Sequence, residues 1–200
     1  MVETIRWVNN HIRILDQSCL PSEEKYIDID TVDMLIEAIQ KLRVRGAPAL
    51  GIAGAFGLNL VANSLRNESV ADFTSQLSLA AKRIVESRPT AVNLKWGVDR
   101  LMNIIKNAPD NVPQCVELIS QEAMSILQND VAMCTALGKR GAELIPDSGS
   151  ILTHCNTGGL ATGGFGTALG ILVTAHQHGK KIHVYVDETR PLLQCARLTT

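Results

Sequence analysis

The chain has 200 residues, of which 46% are hydrophobic and 20% are charged, and its formal net charge is −1. This composition is typical of a globular protein with one domain or two small ones, and it excludes fibrous, disordered and disulfide-stapled classes. Lysine and arginine are scattered without a basic stripe, so we expect no nucleic-acid partner.

The sequence carries no recognisable targeting segment. Its N-terminus lacks a basic stretch followed by an apolar one, and no run of roughly eighteen apolar residues could cross a membrane. The five cysteines include no C-x-x-C pair, which indicates neither a disulfide framework nor a zinc site. We therefore expect a cytoplasmic protein without a membrane partner.

Residues 4–30 alternate between apolar and polar side chains, as in Ile5, Arg6 and Trp7. The pair Asn9-Asn10 interrupts this alternation with residues that tolerate left-handed turn geometry. The segment predicts a small antiparallel hairpin or meander.

After residue 30, the apolar residues recur with the spacing of α-helices. One helix opens at Thr31 and ends near Gly46, and Pro48 lies in the first turn of a second helix that reaches about Leu65. Further helices are predicted over residues 77–85 and 94–105 and from Pro113 onward. Residues 1–130 are therefore predicted to form an N-terminal, mostly helical domain that includes the meander.

The pattern changes after the turn-rich residues 146–149. Residues 150–154 predict a buried strand, residues 160–178 a glycine-rich helix, and residues 182–187 a second strand. A strand, a helix and a strand of these lengths make a βαβ unit with parallel strands. The fold class is therefore α/β, with residues 131–200 as the start of a Rossmann-like domain.

Two parallel strands alone cannot cover both faces of a sheet or satisfy its edges. We therefore expect either that the chain stops inside this second domain or that a partner chain completes the sheet.

Two arginines lie beside predicted helix starts. In Arg45-Gly-Ala-Pro-Ala, a cation precedes the free N–H groups of a helix that begins at proline, which is a pattern for binding an anion. Arg88 precedes a helix that Pro89 or Thr90 could cap. It is either a solvated charge or a second anion ligand. The glycines at positions 51, 54 and 57 have a packing explanation, since they allow close helix contact.

The segment that begins His154-Cys-Asn-Thr-Gly-Gly follows a predicted strand and enters a predicted helix. Cys155 and Asn156 therefore lie at the carboxyl end of a parallel strand, where open α/β sheets bind ligands. A helix N-terminus beneath Cys155 would favour a thiolate and bound anions. A buried structural cysteine is the alternative. Glu188, Arg190 and Gln194 follow the second strand, so we expect them on the same rim, unless they form a solvated loop.

Four segments resemble, in order, the motifs of the methylthioribose-1-phosphate isomerases. Their superfamily also includes ribose-1,5-bisphosphate isomerases and regulatory subunits of translation initiation factor 2B. The segments are Arg45-Gly-Ala-Pro-Ala, Arg88-Pro-Thr-Ala-Val-Asn, Thr153-His-Cys-Asn-Thr-Gly and Asp187-Glu-Thr-Arg-Pro with Gln194. The cysteine separates the chain from initiation-factor subunits, and the residues after it separate the chain from the bisphosphate isomerases.

The resemblance implies conversion of 5-methylthioribose 1-phosphate to 5-methylthioribulose 1-phosphate in methionine salvage, without a metal or an organic cofactor. It implies that Cys155 is catalytic and that the small phosphosugar substrate is bound by Arg45, Gly46, Ala47, Arg88 and Gln194. It further implies a homodimer for the full-length protein. Alternatives are an isomerase of 5-deoxyribose 1-phosphate or ribose 1,5-bisphosphate, and a non-catalytic regulatory subunit.

The chain departs from the family pattern in two respects. The family continues into a catalytic aspartate and an Asn-Lys pair that are absent here, so we expect a fragment that is inactive alone. Cys195 replaces a family glycine after Gln194. If that glycine needs a conformation that only glycine tolerates, or lets backbone approach the phosphate, Cys195 would strain or narrow the site.

Overall fold

The structure is a computed structural model that describes residues 3–106, 110–190 and 192–199. It opens with an antiparallel meander of strands β1 (Ile5–Val8), β2 (His11–Leu15) and β3 (Tyr26–Ile29), paired in that order. Asn9 and Asn10 connect β1 to β2 with φ angles of 47° and 66°. The predicted meander and its left-handed turn are therefore confirmed.

The two faces of the meander differ as the alternation requires. Ile5 pairs with Ile14, and Ile12 pairs with Ile29, all four with buried side chains that join the hydrophobic core. Residues whose side chains point to the other face of the sheet make polar contacts, such as the 2.5 Å ion pair between Arg13 and Asp28. One face of the sheet thus packs on the helices that follow.

Five α-helices form the rest of the first half. They are α1 (Val32–Gln40), α2 (Ala47–Ser64), α3 (Val70–Glu86), α4 (Val92–Ile105) and α5 (Val112–Leu144). Their existence and order agree with the sequence prediction. Helix α2 is buried along almost its whole length and lies against α1, α3, α4 and α5, as expected of a helix that is apolar on all sides.

Glycines allow α2 and α4 to approach closely. A β-carbon on Gly97 of α4 would lie 2.1 Å from the Gly51 carbonyl oxygen, and one on Gly54 would lie 2.9 Å from the Leu94 carbonyl oxygen. The packing role predicted for the α2 glycines is therefore confirmed. This close packing brings the N-terminal ends of α2 and α4 to one side of the molecule.

The second half contains strand β4 (Ser148–His154), helix α6 (Ala168–Gln177) and strand β5 (Lys181–Asp187). The strands are parallel, with His154 paired to Asp187 at their carboxyl ends, so the βαβ prediction is confirmed. The burial predicted for the first strand is wrong, because Thr153 is the only buried residue of β4. The class of the fold is mixed α/β. Helix α5 runs through residues 130 and 131 without interruption, and the division of the chain at that point stays a prediction.

The predicted helix over residues 160–178 was too long. Residues 155–167 form a loop that contains one 3₁₀ turn, Gly159–Ala161, and α6 starts only at Ala168. Gly166 has a φ of 95° and is bridged to Gly158, a conformation that a helix cannot include. The Asp130 carboxylate also accepts the N–H of Gly163 at 2.7 Å, which ties the loop to α5.

Within the described ranges, no helix combines the length and the hydropathy that a membrane span requires.

Candidate functional site

One cavity of about 570 Å³ brings the predicted site residues together. It lies where the starts of α2 and α4 face the loop after β4 and the segment after β5. All six predicted residues line it, and they are Arg45, Gly46, Ala47, Arg88, Cys155 and Gln194. Residues far apart in sequence thus meet on one surface.

Three helices begin at this cavity. Of the six α-helices in the described part of the chain, α1, α3 and α5 are capped by the side chain of their N-cap residue. In α6 the Leu169 N–H donates to the Thr157 hydroxyl at 3.2 Å, and α2 and α4 have no side-chain cap among the described residues. Helices α2, α4 and α6 start at the cavity, whose lining includes Ala47 of α2, Val92 of α4 and the α6 N-cap residue Thr167. Uncapped N-terminal N–H groups and helix dipoles favour an anion.

The cap of α4 differs from the sequence prediction. Ala91, and not Pro89 or Thr90, occupies the N-cap position, and its N–H donates to the Arg88 carbonyl oxygen at 2.9 Å. This turn carries the half-buried Arg88 to the cavity wall.

Arg45 is buried and has no oppositely charged partner in the described part of the chain. Its side chain is 6% exposed, and its Nε and Nη2 atoms have no hydrogen-bond partner among the described residues. Burial, together with the positive charges of Arg197 and Arg88, lowers the pKa of Arg45. A buried cation is unfavourable unless an opposite charge compensates it, and an anion in the cavity would do so.

Cys155 directly follows β4, has an exposed side chain, and contributes to the cavity wall. Its φ of 69° lies in the left-handed region, which non-glycine residues rarely adopt and which is frequent at functional sites. The helix N-terminus expected directly beneath it is not there, because residues 156–167 intervene before α6. The strand end and the loop, and not a helix, position the thiol.

The segment after β5 contributes Gln194 and Leu192 to the cavity. Glu188 and Arg190, predicted on the same rim, are not among its lining residues. The Glu188 carboxylate instead accepts backbone N–H groups of Thr189, Cys195 and Ala196 at 2.8 to 3.1 Å. Glu188 therefore caps the last turn, Cys195–Thr199.

Cys195 does not occupy a glycine-only conformation. The positive φ of this segment, 50°, belongs to Leu193. Cys195 is buried, its thiol donates to the Asp187 carbonyl oxygen, and it does not line the cavity. The strain and narrowing expected at Cys195 are therefore not observed.

Several polar residues line the cavity that the sequence did not assign. Asn156 follows Cys155, and neither atom of its side-chain amide has a hydrogen-bond partner in the described structure. Thr162 and Thr167 were hidden inside the predicted helix, where their side chains could not be placed. Asn93 lies in the first turn of α4. In the sequence, the signal that could have identified Asn156 was its position next to Cys155 at the end of a predicted strand.

The family model for the initiation factor 2 subunit family matches residues 43–200. Among curated proteins, the methylthioribose-1-phosphate isomerase of Heliobacterium modesticaldum is 46% identical over 199 residues, and that of Geobacter sulfurreducens is 43% identical over 197 residues. These matches cover 99% and 98% of this chain. The chain spans 58% and 57% of the length of these relatives.

Two solved structures resemble the chain over its whole length. The 5-methylthioribose 1-phosphate isomerase of Pyrococcus horikoshii is 36% identical with a TM-score of 0.91, and 56% of that chain is covered. The delta subunit of translation initiation factor eIF-2B from A. fulgidus is 40% identical with a TM-score of 0.87, and 58% of it is covered.

Proposed function

Because the chain belongs to the initiation factor 2 subunit family, we propose that it forms the phosphosugar-binding part of an aldose–ketose isomerase. The reaction converts 5-methylthioribose 1-phosphate to 5-methylthioribulose 1-phosphate in methionine salvage. The observation that carries this proposal is that the Cys155 thiol shares one cavity with two arginines and the starts of three helices, of which α2 and α4 have no side-chain cap.

Arg45 and Arg88 bind the phosphate of the substrate, together with the backbone at Gly46 and Ala47. The two guanidinium groups and the helix N-termini provide positive charge on the cavity, and Arg45 has N–H donors without partners. Gln194 lines the same cavity and donates or accepts a hydrogen bond with the sugar. The substrate is thereby held with its anomeric phosphate at the start of α2.

Phosphate on the anomeric oxygen prevents simple ring opening, so a proton must first be supplied to the ring oxygen. One hydrogen then moves from C2 to C1, and carbonyl character passes from C1 to C2. Cys155 acts at these carbons in one of two ways. It exchanges the proton of an enediol-type intermediate, or it stabilises a hydride shift.

Apart from the arginines, Cys155 is the one ionisable side chain on the cavity wall in the described residues. No described aspartate or glutamate lines the cavity, and Cys155 is assigned to C1 and C2, so a separate group is needed to protonate the ring oxygen. We propose that the donor lies in the part of the relatives' length that this chain does not span.

A non-catalytic regulatory subunit is the second candidate, and the similarity to the eIF-2B delta subunit favours it. Such a protein would use the same anion-binding cavity to sense a phosphorylated metabolite. The exposed thiol in the cavity supports the enzyme, since binding a phosphate needs no nucleophile or acid. Related substrates, such as 5-deoxyribose 1-phosphate or ribose 1,5-bisphosphate, would use the same phosphate cradle.

A homodimer in the cytoplasm and a Rossmann-like second domain complete the proposal. The parallel β4–β5 pair supports such a domain, since it is the unit from which doubly wound sheets are built.

The test is turnover of 5-methylthioribose 1-phosphate by a protein of the relatives' full length that includes this sequence. Replacing Cys155 with alanine should abolish formation of the ketose while substrate binding is retained. Replacing the half-buried Cys19, which does not line the cavity, serves as the matched control and should leave turnover unchanged. Undiminished turnover in the Cys155→Ala protein would refute the catalytic role. Binding without turnover in the wild type would favour the regulatory subunit.

A further inference from the structure

The side chain of Asn156 is unusual among the polar groups of the described structure. Its Nδ2 and Oδ1 atoms are both shielded from solvent, and neither has a hydrogen-bond partner. A buried amide without partners is destabilising by about 1–3 kcal/mol for each unsatisfied group. Because Asn156 lines the same cavity as Arg45 and Cys155, a molecule bound there can supply the partners.

Only one other described side chain has two such unpartnered atoms, and it is Arg45. The remaining buried and unpartnered side-chain atoms occur singly, on residues that do not line this cavity. The two side chains with the most unpartnered atoms therefore belong to residues that line the same cavity. Arg45 requires an anion, whereas the neutral amide of Asn156 requires hydrogen-bond partners.

The chemistry of the amide restricts what can bind it. A carboxamide has two N–H donors and one acceptor oxygen, so its full satisfaction needs a ligand that both accepts and donates. A phosphate dianion accepts but has no proton to donate to Oδ1. Hydroxyl groups do both, and this holds whichever way the amide is turned.

We infer that the amide of Asn156 forms hydrogen bonds with the vicinal hydroxyls of the sugar, at C2 and C3. It thereby selects a ribose-type 1-phosphate over its 2-deoxy analogue. This inference rests on the proposed phosphosugar function. Asn156 is adjacent to Cys155, so hydroxyls that bind its amide lie beside the carbons at which the thiol is proposed to act. A turn of the side chain toward the cavity completes these contacts when the ligand binds.

Phosphate and hydroxyl recognition therefore belong to different residues of one site. Arg45 and Arg88 bind any phosphate monoester, and Asn156 distinguishes the sugars. A site that hydrogen-bonds a hydroxyl rejects the analogue that lacks it, because its polar atoms are then left unpaired.

The experiment is calorimetric titration of the chain with inorganic phosphate, ribose 1-phosphate and 2-deoxyribose 1-phosphate. Two variants are compared with the wild type. Asn156→Ala removes the amide, and Asn156→Leu removes its hydrogen bonds at similar volume. Asn129→Ala is the control, since Asn129 lines a neighbouring cavity of about 390 Å³ and not this one.

We expect wild type and Asn129→Ala to prefer ribose 1-phosphate over the 2-deoxy sugar by about tenfold, the loss expected for one hydrogen bond. Both Asn156 variants should lose this preference and retain their affinity for inorganic phosphate. If both variants keep the wild-type preference for ribose 1-phosphate, Asn156 does not recognise the hydroxyls. If the wild type binds neither inorganic phosphate nor ribose 1-phosphate, the proposed function fails, and the inference fails with it.

Discussion

Gly46 lies so close to Ala161 that a β-carbon added to Gly46 would be 2.4 Å from the Ala161 Cα atom and 2.5 Å from its carbonyl oxygen. This contact joins the start of α2, which carries Arg45, to the turn that follows Cys155 and Asn156. The same turn is held from the meander side, where Thr4 and Gln17 donate to the carbonyl oxygens of Gly159 and Leu160. The phosphate cradle and the thiol loop therefore form one packed unit.

Replacing Gly46 with alanine should lower both the free energy of unfolding and the affinity for phosphate. The new methyl group meets backbone atoms, and the φ of 101° adds strain. Together these should destabilise the fold by about 3 kcal/mol or more, measured by urea unfolding. Gly179→Ala is the matched control. Its φ is 85°, but beyond its chain neighbours no atom of the described residues lies within 4 Å of the added carbon, so it should cost only about 1 kcal/mol. Equal losses in the two variants would show that the Gly46–Ala161 contact has no effect.

Replacing Arg45 with methionine should raise stability and abolish phosphate binding. The variant removes a buried cation without a partner and retains apolar volume, a change that is often neutral or stabilising by about 1–4 kcal/mol. Calorimetry with inorganic phosphate and thermal unfolding measure the two effects. Arg66→Met, at an exposed position outside the cavity, should change neither. Loss of stability with phosphate binding intact would contradict the role of Arg45.

The spacing of apolar side chains along the sequence predicted most of the fold. The alternation around Ile12 and Ile14 predicted a buried sheet face, and helical spacing predicted α1 to α5, because these local patterns match the surfaces that become buried. The part of the loop over residues 160–167 was wrongly predicted as helix for a physical reason. A tertiary hydrogen bond from Gly163 to Asp130 and the left-handed Gly166 determine its path, and neither follows from the spacing of apolar residues.

The site was partly predictable for a similar reason. A strand end indicated a ligand site at Cys155, and a helix start indicated an anion site at Arg45. That the two residues belong to one site was implied only by the family resemblance. The unpartnered amide of Asn156 is a property of its surroundings, and only the folded structure reveals it. Glu188 illustrates the converse, because its carboxylate is used by the backbone of the last turn.

Asp130 should make the stability of the chain depend on pH. Its side chain is 7% exposed, and burial raises its pKa above the ordinary value of 3.8. The folded state therefore holds the proton more tightly than the unfolded state does. The stability linked to this proton is fully present below the unfolded pKa and is lost as the pH rises through the folded pKa.

Asp130→Asn removes this titration and retains an oxygen that can accept the Gly163 N–H. Thermal unfolding of both proteins across a pH series measures the effect. The melting temperature of the wild type should fall relative to that of the variant as the pH rises from about 4 to 8. A difference that stays constant over this range would show that Asp130 is not a linked group.

The β4–β5 sheet should promote association between chains. Leu152 and Tyr185 are paired across the two strands, and they are 65% and 56% exposed on the same face. An apolar sheet face beside open strand edges favours self-association. Leu152→Thr with Tyr185→Thr should shift sedimentation profiles toward the monomer. Leu79→Thr, at a 61% exposed position on α3, should not. A wild-type chain that is monomeric at all concentrations and unfolds cooperatively would contradict this prediction.

The claim that the thiol and the phosphate cradle form one site is tested most directly by alkylation of Cys155. Iodoacetamide modification, followed by peptide mass spectrometry, measures the rate at each cysteine. Cys155 is exposed, Cys19 is intermediate, and the other three cysteines are buried, so Cys155 should react fastest. Inorganic phosphate should slow its modification in the wild type and have no effect in Arg45→Met. An alkylation rate of Cys155 that saturating phosphate leaves unchanged in the wild type would contradict the account.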